Sequence, residues 1–171
     1  MSVAPFRLAL LDATHDRAAF NSDSEPLNRY LREQVTQDVR RRVAACFVAL
    51  ADGQRIAGYY TLAAASLLLA DLPASIGKKL PRYPTVPAVR MGRLAVDQAF
   101  KSKGLGGALL ADALDRAIRS EIAAFALMVD AKDEAAVAFY GHHGFIALPD
   151  SPHTLFLALA TVQDLLGKNS N

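Results

Sequence analysis

Residues 101–107 read Lys-Ser-Lys-Gly-Leu-Gly-Gly, and this short segment decides the fold that the chain is expected to adopt. A strand-like apolar run over residues 91–96 precedes it, and a helix-like run over residues 108–120 follows it. Glycines between a strand and a helix let the backbone approach an anion, and the first N–H groups of the helix point at that anion. The two lysines add positive charge. The segment therefore predicts a binding site for a phosphorylated cofactor.

Two familiar phosphate-binding motifs do not fit this segment. A nucleoside triphosphate P-loop requires a lysine and a hydroxyl residue after its last glycine, but Ala108 follows Gly107 here. A dinucleotide-binding motif requires a third glycine, where this chain has Leu109, and it follows the first strand of its fold rather than lying past the middle of the chain. A different phosphorylated cofactor is therefore expected.

Apolar periodicity around the glycine segment predicts a mixed α+β fold in one domain over residues 1–171. Strand and helix patterns alternate around the segment, which favours one parallel crossover there. A connection over residues 67–89, rich in proline and with a possible short helix at 74–79, is expected to border a substrate cleft. The predicted strands cover residues 6–11, 44–51, 55–63, 89–96, 125–129, 145–148 and 155–160, and the predicted helices cover 26–40, 106–120 and 133–142.

Composition places the chain among globular proteins. Hydrophobic residues make up 52% of the 171 residues and charged residues 21%. No apolar run approaches a membrane span and the N-terminus does not resemble a signal peptide, so a cytoplasmic location is expected and no membrane partner. Cys46 is the only cysteine, which excludes an intrachain disulfide, and its apolar neighbours predict a core residue rather than a catalytic thiol. No metal site is expected.

Positive charge concentrates in the middle of the chain. The net charge is only +2, yet residues 78–103 contain seven basic residues and one acidic residue, Asp97. Such a stretch favours a polyanionic partner, and it is equally typical of a solvated loop next to a cofactor site. Composition leaves both interpretations open.

Three segments, in this order, resemble the Gcn5-related N-acetyltransferase (GNAT) family. Residues 101–106 match its pyrophosphate loop, Gln/Arg-x-x-Gly-x-Gly/Ala, with a lysine at the first position. Residues 93–97 resemble its cofactor-binding strand, and residues 136–145 resemble its Ala-x-x-Phe-Tyr-x-x-x-Gly-Phe segment. The resemblance implies the GNAT fold, a central mixed and mostly antiparallel sheet flanked by helices, and an acetyl-CoA-dependent N-acetyltransferase.

The N-terminal half resembles one branch of that family. Residues 15–22, 27–31 and 58–62 are similar to the acetyltransferase toxins of bacterial type II toxin–antitoxin systems. That branch acetylates the α-amine of aminoacyl-tRNA, which blocks translation. The resemblance implies aminoacyl-tRNA as substrate, a ribbon-helix-helix antitoxin as partner and a homodimer. The alternatives are a GNAT enzyme for a small-molecule amine or a protein N-terminus, and a non-catalytic coenzyme A-binding module.

The family resemblance also implies the residues that hold acetyl-CoA. The backbone of Leu94 and Val96 is expected to pair with the pantetheine arm, with a backbone N–H stabilising the oxyanion. Amides of residues 103–107 are expected to take the pyrophosphate, with added charge from the side chains of Lys101 and Lys103. The cofactor residues expected on this basis are Leu94, Ala95, Val96, Lys101, Lys103, Gly104, Leu105, Gly106, Gly107 and Phe139.

Tyr140 is the predicted general acid, because the family motif places a tyrosine there and a phenol is protonated at neutral pH. No general base stands out among the carboxylates near the motif segments. A missing base favours an α-amine, with a reference pKa near 8, over a lysine amine, with a reference pKa of about 10.4. Arg90 and Arg93 are predicted to contact tRNA phosphates, followed by Lys78 and Lys79.

Overall fold

Seven strands form one sheet in the computed structural model, which describes residues 6–169. The spatial order of the strands is β1-β2-β3-β4-β5-β7-β6. Strands β4 and β5 pair in parallel, whereas β1–β2, β2–β3, β5–β7 and β6–β7 are antiparallel. The predicted mixed, mostly antiparallel sheet is therefore confirmed. The strands are β1 (Arg7–Leu10), β2 (Ala45–Leu50), β3 (Ile56–Leu68), β4 (Thr85–Val96), β5 (Ala126–Asp130), β6 (Ile146–Leu148) and β7 (Ser151–Ala158).

The helices begin where the sequence places capping residues. Ser24 precedes the first helix, and its hydroxyl accepts the Leu27 N–H at 3.4 Å, as expected of an N-cap. No helix among residues 6–169 is both long enough and apolar enough to span a bilayer. The α-helices are α1 (Glu25–Arg29), α2 (Val35–Arg40), α3 (Ala74–Gly77), α4 (Leu105–Arg119), α5 (Glu134–His142) and α6 (Leu159–Asn169); a π-helical segment, Tyr30–Gln34, joins α1 to α2, and 3₁₀ turns cover Leu69–Asp71 and Gln98–Phe100.

The described chain divides into two compact units. The first unit contains residues 6–63 and 92–113, and the second contains residues 64–91 and 114–169. Strands β3 and β4 and helix α4 each continue from one unit into the other. Each unit has its own cluster of buried apolar side chains.

The core of the first unit forms around Tyr59, whose side chain is fully buried. Its ring meets that of Phe20 edge-on at 5.5 Å, and its hydroxyl donates to the Leu27 carbonyl at 2.6 Å. Leu31 joins the same cluster and fixes the π-helical segment against the sheet. Cys46 is also buried there, and burial raises the pKa of its thiol to about 12, so the prediction of a core residue is confirmed.

The core of the second unit forms around Phe156 of β7. Phe156 lies opposite Met128 of β5 in the antiparallel register, and its ring is 6.3 Å from that of Phe125. Val86 and Leu72 pack in the same cluster. Full burial of side chains of this size contributes roughly 1.5–3 kcal/mol each, so this cluster stabilises the packing of β5 and β7.

The structure departs from the sequence prediction mainly at the ends of elements. Strand β3 extends to Leu68 and β4 begins at Thr85, so the predicted long connection is shorter by several residues. Strand β4 includes Pro87. The Pro87 carbonyl accepts the Phe125 N–H at 2.8 Å, and since this hydrogen bond uses no N–H of Pro87, the strand tolerates a proline here. The C-terminal helix α6 was not predicted.

Candidate active site

The glycine segment of the first unit forms an open turn in front of helix α4. Ser102 and Gly104 have φ angles of 65° and 76°, in the left-handed region that bends the chain sharply. The Gly104 carbonyl accepts the Ala108 N–H at 3.1 Å, so the N–H groups just before Ala108 have no carbonyl partner within the helix. A Cβ on Gly104 would have no neighbouring atom within 4 Å. The backbone at Gly104 is therefore unobstructed on the side where a Cβ would stand.

Asp97 fixes the end of strand β4 next to this turn. Its carboxylate is nearly inaccessible and accepts the N–H of Asn21 at 2.9 Å and of Ala99 at 2.8 Å. Its own N–H donates to the Ala57 carbonyl at 2.8 Å. The sequence did not predict this structural role of Asp97. The available signal was its position, a lone acidic residue directly after the strand, where an aspartate can cap the next turn.

Gln98 begins the 3₁₀ turn that precedes the glycine turn, and it forms hydrogen bonds with the segment before helix α1. The Gln98 N–H donates to the Asn21 carbonyl at 2.9 Å, and its side-chain amide donates to the Ser22 carbonyl at 3.2 Å. Ser22 is held in turn by the buried Asn28, whose Oδ1 accepts the Ser22 N–H at 2.7 Å. Polar residues of the N-terminal half thus position the glycine turn from outside it.

The lysines of the glycine turn have different surroundings. The Lys101 ammonium pairs with the Asp23 carboxylate at 2.6 Å, and both side chains are largely exposed. The Lys103 ammonium lies 5.8 Å from the centre of the Phe100 ring. The guanidinium of Arg55 lies over the same ring at 4.9 Å. Arg55 therefore adds a positive charge at the turn that the sequence analysis did not predict.

Strand β4 carries the residues expected to hold the pantetheine arm. Ala95 is buried in the first unit, while Leu94 and Val96 are half-buried. A Cβ on Gly58 of β3 would lie 3.0 Å from the Ala95 carbonyl oxygen and 2.8 Å from Cδ1 of Leu109. A glycine at this position lets β3, β4 and α4 pack closely behind the turn.

Tyr140 lies on helix α5 of the second unit. Asp133 caps this helix by accepting the Ala136 N–H at 2.8 Å. The Tyr140 ring is 7% exposed and packs at 5.2 Å from the ring of Phe139 and 5.5 Å from that of Phe145. The Tyr140 hydroxyl forms no hydrogen bond within residues 6–169. Every fully buried side-chain oxygen in that range has a hydrogen-bond partner, so this hydroxyl is not fully buried. The hydroxyl oxygen therefore reaches solvent and is available to donate to a ligand.

The pKa of Tyr140 is raised to about 12, first by burial of the ring and then by the negative charge of Asp130. Burial disfavours the phenolate, so the phenol stays protonated throughout the physiological pH range. The side chain can thus act as a hydrogen-bond or proton donor but not as a base at neutral pH.

The two arginines of β4 have partners in their own units. In the second unit, Arg90 pairs with Asp130, which also accepts the Thr154 hydroxyl at 3.0 Å. In the first unit, the Arg93 guanidinium lies 3.5 Å above the centre of the Tyr30 ring. Tyr30 belongs to the π-helical segment, which sequence periodicity did not reveal. Neither arginine is an isolated surface charge.

Lys78 and Lys79 lie at the exposed end of α3 in the second unit. Within residues 6–169, no carboxylate pairs with either ammonium group. The nearby Tyr83 is 68% exposed, and Arg82 is exposed as well. This short stretch combines free positive charge with an accessible aromatic ring.

Three carboxylates close to Tyr140 in the sequence already have structural roles. Asp130 pairs with Arg90, Asp133 caps α5, and Glu134 lies 2.7 Å from His153. Within residues 6–169, no cluster of three or more His, Cys, Asp or Glu side chains is placed to hold a metal ion.

The sequence pattern of the acetyltransferase (GNAT) family matches residues 10–145. The chain belongs to this family. It is 34% identical over 167 residues to a tRNA-acetylating toxin of Mycobacterium tuberculosis, and the match covers 96% of each chain.

Two solved structures resemble nearly the whole chain. AtaT complexed with acetyl-methionyl-tRNAfMet has a TM-score of 0.88 and 29% identity, and covers 94% of this chain and 99% of that one. AtaTR bound with AcCoA has a TM-score of 0.82 and 28% identity, and covers 96% of this chain and 99% of that one. The expected GNAT fold and acetyltransferase activity are therefore confirmed.

Proposed function

We propose that this GNAT enzyme transfers the acetyl group of acetyl-CoA to the α-amine of an aminoacyl-tRNA and thereby blocks translation. The observation that carries the proposal is the likeness over nearly the whole chain to AtaT, which has been seen with an acetylated initiator tRNA. The relative named as a tRNA-acetylating toxin supports the same substrate. Residues of this chain are proposed below for each part of such a transfer.

The glycine turn and the last residues of β4 fit the cofactor. When bound, acetyl-CoA supplies an acetyl group activated as a thioester. The N–H groups of residues 103–107 at the start of α4 would hold the pyrophosphate, and Lys101 and Lys103 would add charge. Leu94 and Val96 would offer backbone groups to the amides of the pantetheine arm, with Ala95 as the buried residue between them.

Tyr140 would act as the donor to the leaving sulfur. Its hydroxyl has no partner within residues 6–169, so donation to a ligand breaks no existing hydrogen bond. Its raised pKa keeps the proton on the phenol at the working pH. Phe139 packs against the Tyr140 ring and would hold it in place or contact the cofactor.

An α-amine suits an enzyme without a dedicated base. The carboxylates Asp130, Asp133 and Glu134 are engaged in an ion pair, a helix cap and a histidine contact. An α-amine with a reference pKa near 8 is partly neutral at pH 7, whereas a lysine amine with a reference pKa of about 10.4 is almost fully charged. The structural roles of these carboxylates therefore favour the α-amine of a charged tRNA.

Basic residues of both units are proposed to contact tRNA phosphates. Lys78 and Lys79 have no carboxylate partner within residues 6–169, and Tyr83 beside them offers a ring for stacking on a base. Arg90 and Arg93 remain candidates, although each already contacts a side chain of its own unit.

We also infer the biological setting from the toxin branch. The enzyme would act in the cytoplasm as a homodimer and would be neutralised by a ribbon-helix-helix antitoxin. Co-purification with such an antitoxin, together with the mass in solution measured by light scattering, tests both inferences. If the enzyme is a monomer that acetylates charged tRNA, the inference of a homodimer is wrong and the proposed activity still holds.

The decisive experiment follows labelled acetyl from acetyl-CoA into RNA. Purified enzyme is incubated with charged tRNA, with the same tRNA after deacylation, and with a panel of small amines and peptides. We expect label on the charged tRNA alone. Turnover of acetyl-CoA with small amines or peptides, without label on charged tRNA, would contradict the proposal.

A further inference from the structure

Two cations converge on one aromatic ring beside the glycine turn. The Arg55 guanidinium lies 4.9 Å and the Lys103 ammonium 5.8 Å from the centre of the Phe100 ring. Phe6 meets the same ring edge-on at 5.6 Å and fixes its orientation. All four residues belong to the first unit. Two cations held beside one ring both attract an anion that binds next to that ring.

One carboxylate of the first unit, that of Asp97, lies near this pair of cations but forms no hydrogen bond with either of them. The nearest carboxylate to Arg55 is that of Asp97, at 4.0 Å, which is too long for a hydrogen bond. Asp97 already accepts two backbone N–H groups. Within residues 6–169, no carboxylate pairs with Lys103, whereas Lys101 in the same turn is paired with Asp23. The donors of Arg55 and Lys103 are therefore available to a ligand.

We propose that Arg55 and Lys103, held against Phe100, bind the 3′-phosphate of the adenosine in coenzyme A. This inference rests on the proposed function, since it assumes that the glycine turn holds the pyrophosphate of that cofactor. The 3′-phosphate is joined to the pyrophosphate through a single ribose, so its site must lie close to the turn. Lys103 is part of the turn, and Arg55 shares its aromatic platform.

The chemistry of the pair suits a phosphate monoester. Such a group carries close to two negative charges at neutral pH and has three acceptor oxygens. A guanidinium can donate two parallel hydrogen bonds to these oxygens, and an ammonium adds a compact charge. Stacking on Phe100 limits the freedom of both long side chains before binding, which lowers the entropy cost of ordering them.

The test compares the binding of coenzyme A with that of 3′-dephospho-coenzyme A by titration calorimetry. The two ligands differ only in the 3′-phosphate. The variants are Arg55→Gln and Lys103→Gln, with Arg32→Gln as a matched control that removes a positive charge elsewhere in the first unit, where Arg32 pairs with Glu25 at 3.1 Å. Thermal unfolding confirms that each variant is folded.

We expect the wild-type enzyme to prefer coenzyme A over the dephospho form. Arg55→Gln should reduce this preference about fivefold, as expected for one lost charge-assisted hydrogen bond on a half-exposed side chain, and should leave the affinity for the dephospho form unchanged. Lys103→Gln should also reduce the preference, and Arg32→Gln should not.

Two results would overturn the inference while leaving the proposed function intact. One is equal affinity of the wild-type enzyme for both ligands. The other is an equal loss of affinity for both ligands in Arg55→Gln, which would make Arg55 only a neighbour of Asp97 that supports the turn. If the wild-type enzyme bound neither ligand, both the cofactor assignment and this inference would fail.

Discussion

Replacing Tyr140 with phenylalanine removes a single oxygen atom from the enzyme and so tests the role of the hydroxyl group alone. The hydroxyl has no hydrogen-bond partner within residues 6–169, so its removal leaves no buried group unsatisfied. The ring contacts with Phe139 and Phe145 are preserved in the variant. We therefore expect the free energy of unfolding to change by no more than about 0.5 kcal/mol.

The rate of acetyl transfer should change far more. A positioned proton donor contributes roughly 10²–10⁴-fold to a rate, or about 3–5 kcal/mol. The raised pKa of Tyr140, about 12, lies well above the reference thiol pKa of about 8.5. Full proton transfer from this phenol to a thiolate is therefore uphill, and donation of a hydrogen bond supplies most of the effect. We expect a loss near the lower limit, about 10²-fold.

Single-turnover acetylation of charged tRNA at saturating acetyl-CoA measures this loss without interference from product release. Ser151→Ala is the control, because it removes an exposed hydroxyl group from the same unit. The affinity for coenzyme A, measured separately, should be the same in Tyr140→Phe and wild type. A variant that keeps more than about a third of the wild-type rate would refute the role of Tyr140 as a donor.

Two further predictions concern packing and pH. Gly58→Ala should lower the free energy of unfolding by about 1–3 kcal/mol in chemical denaturation, because its Cβ would approach Leu109 at 2.8 Å and the Ala95 carbonyl at 3.0 Å; unchanged stability would show that β3 can move away. The initial rate should rise with pH up to about 8, as the α-amine loses its proton, and then stay level, because Tyr140 keeps its proton up to about pH 12. A decline between pH 8 and pH 9 would show that a different group donates.

Features that depend on neighbouring residues were predicted well from the sequence. The glycine turn before α4 and the starts of β2 and β3 all appear within a residue or so of where local patterns place them. Helix α5 ends at His142, as the predicted helix over 133–142 does, and Gly144 follows it with a φ of 93° that few other residues adopt. Such features depend on backbone preferences within a few positions, which a single sequence displays.

Features set by distant residues were not predictable in the same way. The π-helical segment Tyr30–Gln34 shifts the helical register by one residue, and apolar spacing alone cannot detect such a shift. The Asp97 network joins residues that are 76 positions apart in the chain. Local patterns contain no record of such pairings, so Asp97 and Arg55 emerged only from the folded structure.

The contacts between distant residues also change the interpretation of the basic residues in segment 78–103. A charge count treats every lysine and arginine alike, and proximity to the transfer strand ranked Arg90 and Arg93 first as tRNA contacts. In the structure, Arg90 pairs with Asp130 and Arg93 stacks on Tyr30, so a phosphate would have to compete with an existing partner. Exposed pairs contribute only about 0.2–1 kcal/mol, so competition is feasible, but it reduces the net gain. Lys78 and Lys79, with no carboxylate partner within residues 6–169, keep their full attraction for phosphates and become the stronger candidates.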